Sequence, residues 1–328
     1  MSRPRLAVDA MGGDGGPAVT VAAALGLADR ADLTLVGGAA EIGRVAGSRV
    51  RELRIHPTTE VLSPGDSLAD VLRRRPDSSM RQALVLLARG EVDGVVSGGD
   101  TAALMALSRA QLTMVPGIDR PAIGKYLQGM AGGFWMLDLG ANLDCSVEQL
   151  HQFARMGTIL ARHVSGIATP RVALLNIGTE PHKGPELQRL AAERLAADPS
   201  LHYAGFVEGN RLFEGVADVV VADGFAGNIA LKAIEGAARM AGHLLRGWIQ
   251  GLGPLQRLSL LPVRGDLAQL RHGLNPQRYN GASLVGLSGV VVKSHGSADA
   301  EGFQSAIDEA ILEIRGRIPE RLAAGEGR

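Results

Sequence analysis

The chain has 328 residues, of which 44 are glycine and only 11 are aromatic. With 46% apolar and 21% charged residues it can bury a core, which excludes a disordered chain, and its glycines follow no three-residue period, which excludes a collagen-like one. The 34 basic residues match the 34 acidic ones, so the sequence lacks the basic surplus that neutralises the phosphates of nucleic acid, and no nucleic-acid partner is expected.

The cysteine, histidine and hydropathy patterns exclude further classes of protein. The single cysteine, Cys145, excludes an internal disulfide framework and a metal site built from several cysteines. The eight histidines include no H-x-x-x-H pair, so no metal site is predicted. No apolar run approaches the ~18–20 residues that span a bilayer, and the first residues lack the apolar run of a signal peptide. We therefore expect a cytoplasmic protein.

Taken in chain order, short apolar or β-branched runs alternate with stretches of helical periodicity. The runs that predict strands are Leu6–Val8, Leu33–Val36, Gly94–Ser97, Trp135–Asp138, Val172–Asn176, Val219–Ala222 and Val290–Lys293. The stretches that predict helices include Ala18–Leu27, Met80–Arg89, Val147–Val164, Glu186–Ala197 and Asn228–Leu245. Ser146 and Gln149 predict a capping box at the start of the third of these helices. The alternation predicts parallel βαβ units in a sheet covered by helices on both faces, within one α/β domain over residues 1–328.

Residues 240–285 interrupt this alternation and predict a helical excursion from the sheet. Apolar residues fall at helical spacing from Leu244 onward, and glycine and proline then break the pattern. We expect the segment Leu244–Leu261 to pack against its own core or a second copy of the chain, with contact to a membrane surface as the alternative.

Six predicted strands end in a polar residue, one or more glycines and the start of a helix. These loops begin at Asp9, Ser97, Asp138, Asn176, Asp223 and Lys293. Parallel strands would place all of them at one carboxyl edge of the sheet, where glycine permits close backbone approach and helix N-termini favour an anion. The sequence therefore predicts a site for phosphate or another small anion.

Several common sites are disfavoured by inspection. Gly13-x-Gly15 loosely matches a dinucleotide fingerprint, but no acidic residue follows Leu33–Val36 to bind a ribose. Asp119 stands where a P-loop ending in Gly124-Lys125 would need glycine, and no Gly-x-Ser-x-Gly elbow is present.

The loops also resemble those of a known family. Val8-Asp9-Ala10-Met11-Gly12-Gly13-Asp14, Leu174-Leu175-Asn176-Ile177-Gly178, Asp223-Gly224-Phe225-Ala226-Gly227-Asn228 with Leu231-Lys232, and Lys293-Ser294-His295-Gly296-Ser297 are similar to motifs of the PlsX phosphate acyltransferases. Arg120-Pro121-Ala122-Ile123 and Gly140-Ala141-Asn142-Leu143-Asp144-Cys145 match as well, and the motifs keep their order from the first strand to about residue 312.

The resemblance implies an enzyme of phospholipid synthesis. It implies that inorganic phosphate attacks the thioester of a long-chain acyl-ACP, giving acyl phosphate and free acyl carrier protein. It also implies a homodimer with a Rossmann-like three-layer α/β/α core and a mostly parallel sheet, no organic cofactor, no catalytic metal and, in some members, peripheral contact with the inner face of the membrane. Two positions depart from the family pattern: Gly15 replaces a usual histidine, and Asp100 replaces a usual asparagine.

Three residues are predicted to carry the chemistry. Lys183 is placed to pair with phosphate or the oxyanion, and His295 to accept a proton from phosphate or to protonate the leaving thiolate. Asn228 supplies an amide donor. Cys145 is not expected to form an acyl-enzyme, because a lone cysteine before a helix is most often buried and inert.

The remaining predicted residues bind substrate or orient those that do. They are Asp9, Gly12, Gly13, Asp14, Gly99, Thr101, Asn142, Asn176, Gly178, Asp223, Gly224 and Lys293. Asp9 and Asp223 are expected to orient a lysine, a histidine or backbone N–H groups, since an ionised carboxylate repels phosphate. Two alternatives stay open at this point: a non-catalytic protein that binds phosphate or acyl chains, and a nicotinamide-dependent decarboxylating dehydrogenase of similar architecture.

Overall fold

The structure is a computed structural model that describes residues 3–63, 65–253, 265 and 280–326. Within these residues eleven strands form one sheet in the order β3-β2-β1-β4-β11-β10-β5-β6-β9-β7-β8. The strands are β1 Arg5–Asp9, β2 Asp32–Gly37, β3 Arg54–Pro57, β4 Gly94–Ser97, β5 Ala122–Gly129, β6 Gly132–Leu137, β7 Arg171–Leu175, β8 His202–Val207, β9 Val219–Val221, β10 Ala282–Val285 and β11 Val290–Lys293.

Helices follow most of the strands. They are α1 Gly16–Gly26, α2 Ala39–Ala46, α3 Leu68–Arg74, α4 Ser79–Ala88, α5 Thr101–Gln111, α6 Val147–His163, α7 Glu186–Ala196, α8 Gly224–Gly251, α9 Ala300–Gly316 and α10 Ile318–Ala323, with 3-10 turns at Gly47–Glu52 and Gly209–Glu214. The predicted capping box is confirmed, because Ser146 accepts from the Gln149 N–H and Gln149 from that of Ser146. None of the helices among these residues is long and apolar enough to cross a membrane.

Core residues lie on both faces of the sheet. Along β11, Val290 and Val292 pack with α1 and α9, whereas Val291 packs on the other face with α4 and α5. Val219 and Val221 of β9 likewise pack with α6, and Val220 packs on the opposite face. Consecutive valines are therefore buried on opposite sides, which confirms the predicted three-layer α/β/α arrangement and the doubly buried strands.

The sheet consists of two parallel halves that run in opposite directions. Strands β3, β2, β1, β4 and β11 pair in parallel, as do β6, β9, β7 and β8. Strands β10 and β5 stand between the halves and pair antiparallel on both sides. Three successive antiparallel pairings reverse the direction, so the expectation of a single carboxyl edge was wrong.

The two halves nevertheless end at the same level of β5. In the first half, Ser97 pairs with Lys293, Lys293 with Ala282, and the next residue of β10 with Gly124. In the second half, Lys125 pairs with Met136, so Leu137 at the end of β6 lies level with Gly124. The carboxyl ends of both halves therefore face each other across the middle of β5, and this opposition brings the predicted loops together.

The predicted helical excursion is described only at its two ends. Helix α8 begins four residues before the predicted Asn228 and continues past Leu244 and Trp248 to Gly251. At the other end, Ala282–Val285 is strand β10 rather than part of a helix, because it fills the sheet between β11 and β5. Most of the segment between these ends, including residues 254–261 of the predicted interaction surface, lies outside the described residues.

Candidate functional site

The loops after β1, β4 and β11 form one compact unit, here called the first loop group (residues 10–15, 98–101 and 293–297). The Asp14 N–H donates to the carbonyl of Gly296 at 2.7 Å, and the Ser294 N–H donates to the carbonyl of Ser97 at 2.8 Å. Gly13 has a φ of +91°, and a Cβ there would lie 2.9 Å from the Gly296 carbonyl oxygen. The close approach of the loops therefore requires glycine at this position.

Asp9, the last residue of β1, holds the first loop group in place through hydrogen bonds. Its buried carboxylate accepts hydrogen bonds from the hydroxyls of Ser79, at 2.7 Å, and Ser97, at 2.6 Å, and from the Met11 N–H at 3.3 Å. Burial raises the pKa of Asp9, and these hydrogen bonds oppose the rise. Ser97 in turn accepts from the Gly99 N–H at 3.1 Å, so one carboxylate fixes two of the three loops.

Lys293 carries the positive charge of the first loop group. Burial lowers its pKa to about 8, while the carboxylates of Asp100 and Asp9 act in the opposite direction. Its ammonium donates to the carbonyls of Ser294 and, at 3.4 Å, of Gly98. Asp100 also caps α5 by accepting from the Ala103 N–H at 2.8 Å, which places Thr101 in the first turn of that helix.

His295 is held in one tautomer. Its Nδ1 accepts from the Ser297 N–H at 3.2 Å, and the Ser297 hydroxyl lies 2.9 Å from the same nitrogen. Burial lowers the pKa of His295; the charge of Glu235 opposes this and those of Lys232, Lys293 and Lys125 add to it, so the neutral ring is favoured. A neutral ring with Nδ1 as acceptor carries its proton on Nε2, so His295 presents a hydrogen-bond donor there. The buried Asn280 positions this loop by accepting from the His295 N–H at 2.8 Å.

The loops after β6, β7 and β9 form the second loop group (residues 138–145, 176–184 and 223–228). The Gly224 N–H donates to the carbonyl of Asn142 at 2.8 Å. Gly140 has a φ of +127°, and a Cβ there would lie 3.5 Å from the side chain of Asn228. Gly224 and Gly227 sit against the Asp138 loop so closely that any Cβ would overlap it. The start of α8 is therefore packed directly onto the β6 loop.

Asp138 is the organising carboxylate of the second loop group. It accepts from the N–H groups of Ile123, Gly140, Ala141 and Asn142, at 2.7–3.2 Å, and from the Asn142 side-chain amide at 2.9 Å. Burial raises its pKa, and the hydrogen bonds oppose the rise. Asn142 is buried and also donates to the carbonyl of Pro121, so its amide is used for support inside the loop.

Asn176 and Asp223 complete the support of this group. The Asn176 amide donates to the carbonyl of Lys183 at 3.0 Å, and its buried Oδ1 has no hydrogen-bond partner within the described structure. This bond ties Lys183 and Gly178 into one loop with the lysine exposed. Asp223 caps α8 through the Ala226 N–H at 2.8 Å, which fits the expectation that it orients backbone donors.

Three charged side chains lie between the two loop groups. Lys125 of β5 has an ion pair with Glu235 of α8, with 4.0 Å between Nζ and Oε1. Lys232, one turn earlier on α8, donates to the other Glu235 oxygen at 3.0 Å. The charge of Lys232 lowers the pKa of both Lys293 and His295. Helix α8 therefore begins in the second loop group and brings its lysine to the first.

The structure thus distributes the predicted residues over two facing sets. The first loop group holds Gly12, Gly13, Asp14, Gly99, Thr101, Lys293 and His295 above Asp9, and the second holds Asn142, Asn176, Gly178, Lys183, Asp223, Gly224 and Asn228. Residues that the prediction missed are Ser79, Ser97, Lys125, Asp138, Lys232, Glu235 and Asn280. Ser97 and Asp138 stand at predicted strand ends and were detectable there, whereas Ser79 and Asn280 are distant in sequence from the residues they support.

Two departures from the family pattern have a local explanation. Gly15 precedes α1, and a Cβ there would overlap the side chain of Val19, so this chain is packed for glycine at the position. Asp100 is accommodated because it caps α5 and lies near the cationic Lys293.

Cys145 is not arranged as a nucleophile. Burial raises the pKa of its thiol to about 11, and nearby carboxylates act in the same direction. A thiol with this pKa is protonated at neutral pH, and the thiolate is the nucleophilic form. No group of three or more histidine, cysteine or acidic side chains in the described part of the chain is placed to hold a metal ion.

Comparison with solved structures defines the class of fold. A phosphotransacetylase from Streptococcus pyogenes superimposes with a TM-score of 0.63 at 19% identity, covering 95% of this chain and 94% of that one. A 4-hydroxythreonine-4-phosphate dehydrogenase from Klebsiella pneumoniae gives 0.55 at 17% identity over 96% and 100%. At these identities the likeness establishes the shared two-half α/β architecture.

Sequence comparison establishes the family. The family model described as "Fatty acid synthesis protein" matches residues 4–321. The phosphate acyltransferase of Pseudomonas putida (strain GB-1) is 48% identical over 330 residues, covering 98% of this chain and 97% of the relative. That of Alkalilimnicola ehrlichii is 46% identical over 97% and 94%. The chain therefore belongs to this family of fatty acid synthesis proteins, and its resemblance to the PlsX phosphate acyltransferases is confirmed.

Proposed function

We propose that the protein is a phosphate acyltransferase that moves a long-chain fatty acyl group from acyl carrier protein to inorganic phosphate. The observation that carries the proposal is the group of cations at the junction of the half-sheets, where the charge of Lys232 acts on both Lys293 and His295. The mostly buried ammonium of Lys293, with the exposed Lys232 and the Nε2–H of His295 as further donors, suits a compact dianion. The family membership supports the second part of the proposal, that the group transferred to phosphate is an acyl group.

The reaction needs little covalent participation by the protein. An oxygen of HPO₄²⁻ attacks the thioester carbonyl carbon, a C–O bond forms, and the C–S bond then breaks. The single proton of HPO₄²⁻ passes to the leaving thiolate, so the products are acyl phosphate and a free thiol. Lys293 and Lys232 hold the phosphate, and His295 donates a hydrogen bond through Nε2. Catalysis then rests on alignment and on stabilising the oxyanion.

The second loop group suits the acyl side of the reaction. Lys183 is exposed on its rim, and Asn228 lies in the first turn of α8, where its amide and the neighbouring N–H groups are donors for a carbonyl oxygen. The same loops expose the apolar side chains of Leu143, Ile177 and Phe225. An apolar rim beside neutral donors favours a thioester with a long hydrocarbon chain over a charged substrate.

A second copy of the chain is the proposed partner of α8. Met240, Leu244 and Trp248 are 62%, 64% and 55% exposed and recur every four residues, so they form one apolar stripe on the helix. Sedimentation of the wild type and Leu244→Glu tests this homodimer. Liposome flotation of wild type and Trp248→Glu tests the alternative, peripheral contact of a cytoplasmic protein with the inner face of the membrane.

The decisive experiment measures release of free carrier thiol from long-chain acyl-ACP with and without inorganic phosphate. Phosphate-dependent release with acyl phosphate among the products supports the proposal. Release without phosphate indicates a thioesterase instead. Phosphate binding without release favours a non-catalytic binding protein, and an absorbance change with NAD and a divalent metal favours a dehydrogenase.

A further inference from the structure

Lysine is confined to the candidate site in this chain. Of the 34 basic residues, 30 are arginine and four are lysine, and the lysines are Lys125, Lys183, Lys232 and Lys293. Arginine makes ion pairs remote from the site, such as Arg171 with Asp218. All four lysines lie in the two loop groups or between them. Because the lysine ammonium is a compact point charge that titrates when buried, whereas arginine stays charged and favours planar carboxylates, lysine suits a site that holds a compact anion.

Lys125 is the one of the four that no motif singles out. It lies on β5 at the level where both half-sheets end, and its side chain is only 13% exposed. Burial lowers its pKa, and the Glu235 carboxylate opposes this. The 4.0 Å separation from Glu235 is too long for a hydrogen bond, and its Nζ donates to no other side chain or carbonyl within the described residues. The ammonium therefore has donors available for a ligand that enters between the two loop groups.

Glu235 is shared between two lysines. It is 12% exposed, accepts from Lys232 at 3.0 Å and faces Lys125 at the longer distance. The charges of this set also act on His295: Glu235 raises the pKa of the imidazole, whereas Lys232, Lys293 and Lys125 lower it. The charges of three ammonium groups therefore act on the imidazole, and the carboxylate of Glu235 opposes them.

We propose that Lys125 is a further phosphate-binding residue and that Glu235 is the internal anion which phosphate replaces beside it. The entering phosphate oxygen accepts from Lys125 Nζ while Glu235 keeps its hydrogen bond to Lys232. This inference rests on the proposed function for the identity of the anion. The competing explanation is structural: the Lys125–Glu235 pair would only fasten α8 to the sheet.

Two substitutions separate these explanations by the sign of their effects. Lys125→Met removes the charge at similar side-chain length, and we expect the KM for phosphate to rise about tenfold or more, with kcat and the KM for acyl-ACP nearly unchanged. Glu235→Gln removes the competing anion, and we expect the KM for phosphate to fall. A structural pair predicts that both variants lose activity and thermal stability together. Arg171→Met, which breaks a partly buried ion pair remote from the site, is the matched control.

A binding measurement keeps the test independent of turnover. Equilibrium dialysis of the full-length protein with radiolabelled orthophosphate gives the affinity of the wild type and each variant. Weaker binding by Lys125→Met with tighter binding by Glu235→Gln supports the inference, even if the wild type releases no carrier thiol and the proposed function fails. Wild-type affinity and an unchanged KM in Lys125→Met overturn it, whatever the outcome for acyl transfer.

Discussion

Each of the two loop groups is supported by a buried carboxylate, but the two groups differ in where their charged side chains lie. Each has a buried carboxylate at the end of its strand, Asp9 after β1 and Asp138 after β6, and burial raises the pKa of both. Asp9 accepts from hydroxyls of neighbouring elements, and the charged group above it is the mostly buried ammonium of Lys293. Asp138 accepts from N–H groups of its own loop, and the charge of the second group lies on the exposed Lys183 at its rim. This difference is the basis of our proposal that the first group binds the anion and the second the neutral acyl carbonyl.

The largest expected effect comes from Lys293→Met in the first loop group. Loss of a buried ammonium that contacts phosphate should lower kcat/KM for phosphate by about two to three orders of magnitude, as for removal of one charge-stabilising donor in an active site. Steady-state acyl phosphate formation measures it. Arg49→Met, an exposed ion-paired arginine far from the loops, serves as the control. If kcat/KM of Lys293→Met stays within threefold of the wild-type value, phosphate does not bind at Lys293.

The second prediction compares the two supporting carboxylates. Asp9→Asn and Asp138→Asn each place an amide among N–H or O–H donors, so each should lose roughly 2–4 kcal/mol of unfolding free energy. Urea denaturation measures this, with the partly exposed Asp32→Asn as a control near zero. Among molecules that remain folded, Asp9→Asn should raise the KM for phosphate and Asp138→Asn should lower kcat. Identical kinetic defects in both variants would contradict the proposal that the first loop group binds phosphate and the second binds the acyl carbonyl.

The third prediction concerns pH. Because the pKa of Lys293 is lowered to about 8, its ammonium is present below that pH and lost above it. For the free enzyme, kcat/KM for phosphate should therefore decline about tenfold per pH unit as the pH rises past 8. Lys293→Arg stays charged, so its profile should lose this decline, and the same substrate in both assays controls for titration of phosphate itself. Superimposable profiles would assign the decline to another group.

The smallest expected effect is that of Cys145→Ala. Its thiol has a pKa of about 11 and lies at the border of the second loop group, so turnover should change less than about twofold. Mass spectrometry after incubation with acyl-ACP should find no acyl-enzyme in the wild type. An acylated Cys145, together with an inactive alanine variant, would replace direct attack by phosphate with a covalent mechanism.

Local patterns in the sequence predicted much of the fold and part of the site. Gly94–Ser97 and Val290–Lys293 were predicted with their observed bounds because valine runs buried on both faces are distinctive. β5 and β10 were not predicted, since polar residues such as Lys125 and Ser283 interrupt their apolar pattern. Those two strands reverse the sheet, so the expectation of a single carboxyl edge failed with them. Asn280 and Ser79 escaped notice because they act on loops more than ten residues away.

The sequence by itself determined the alternating elements, the glycine loops after the strands and, through its motifs, the family. Each of these depends on neighbouring residues, whose spacing and backbone freedom are written in the chain. Only the tertiary structure decided that the two half-sheets oppose each other at Gly124 and Lys125, and that Lys125 and Glu235 meet beside His295. Lys125 lies 110 positions from Glu235 and 170 from His295 in the chain, so no local pattern could encode their meeting.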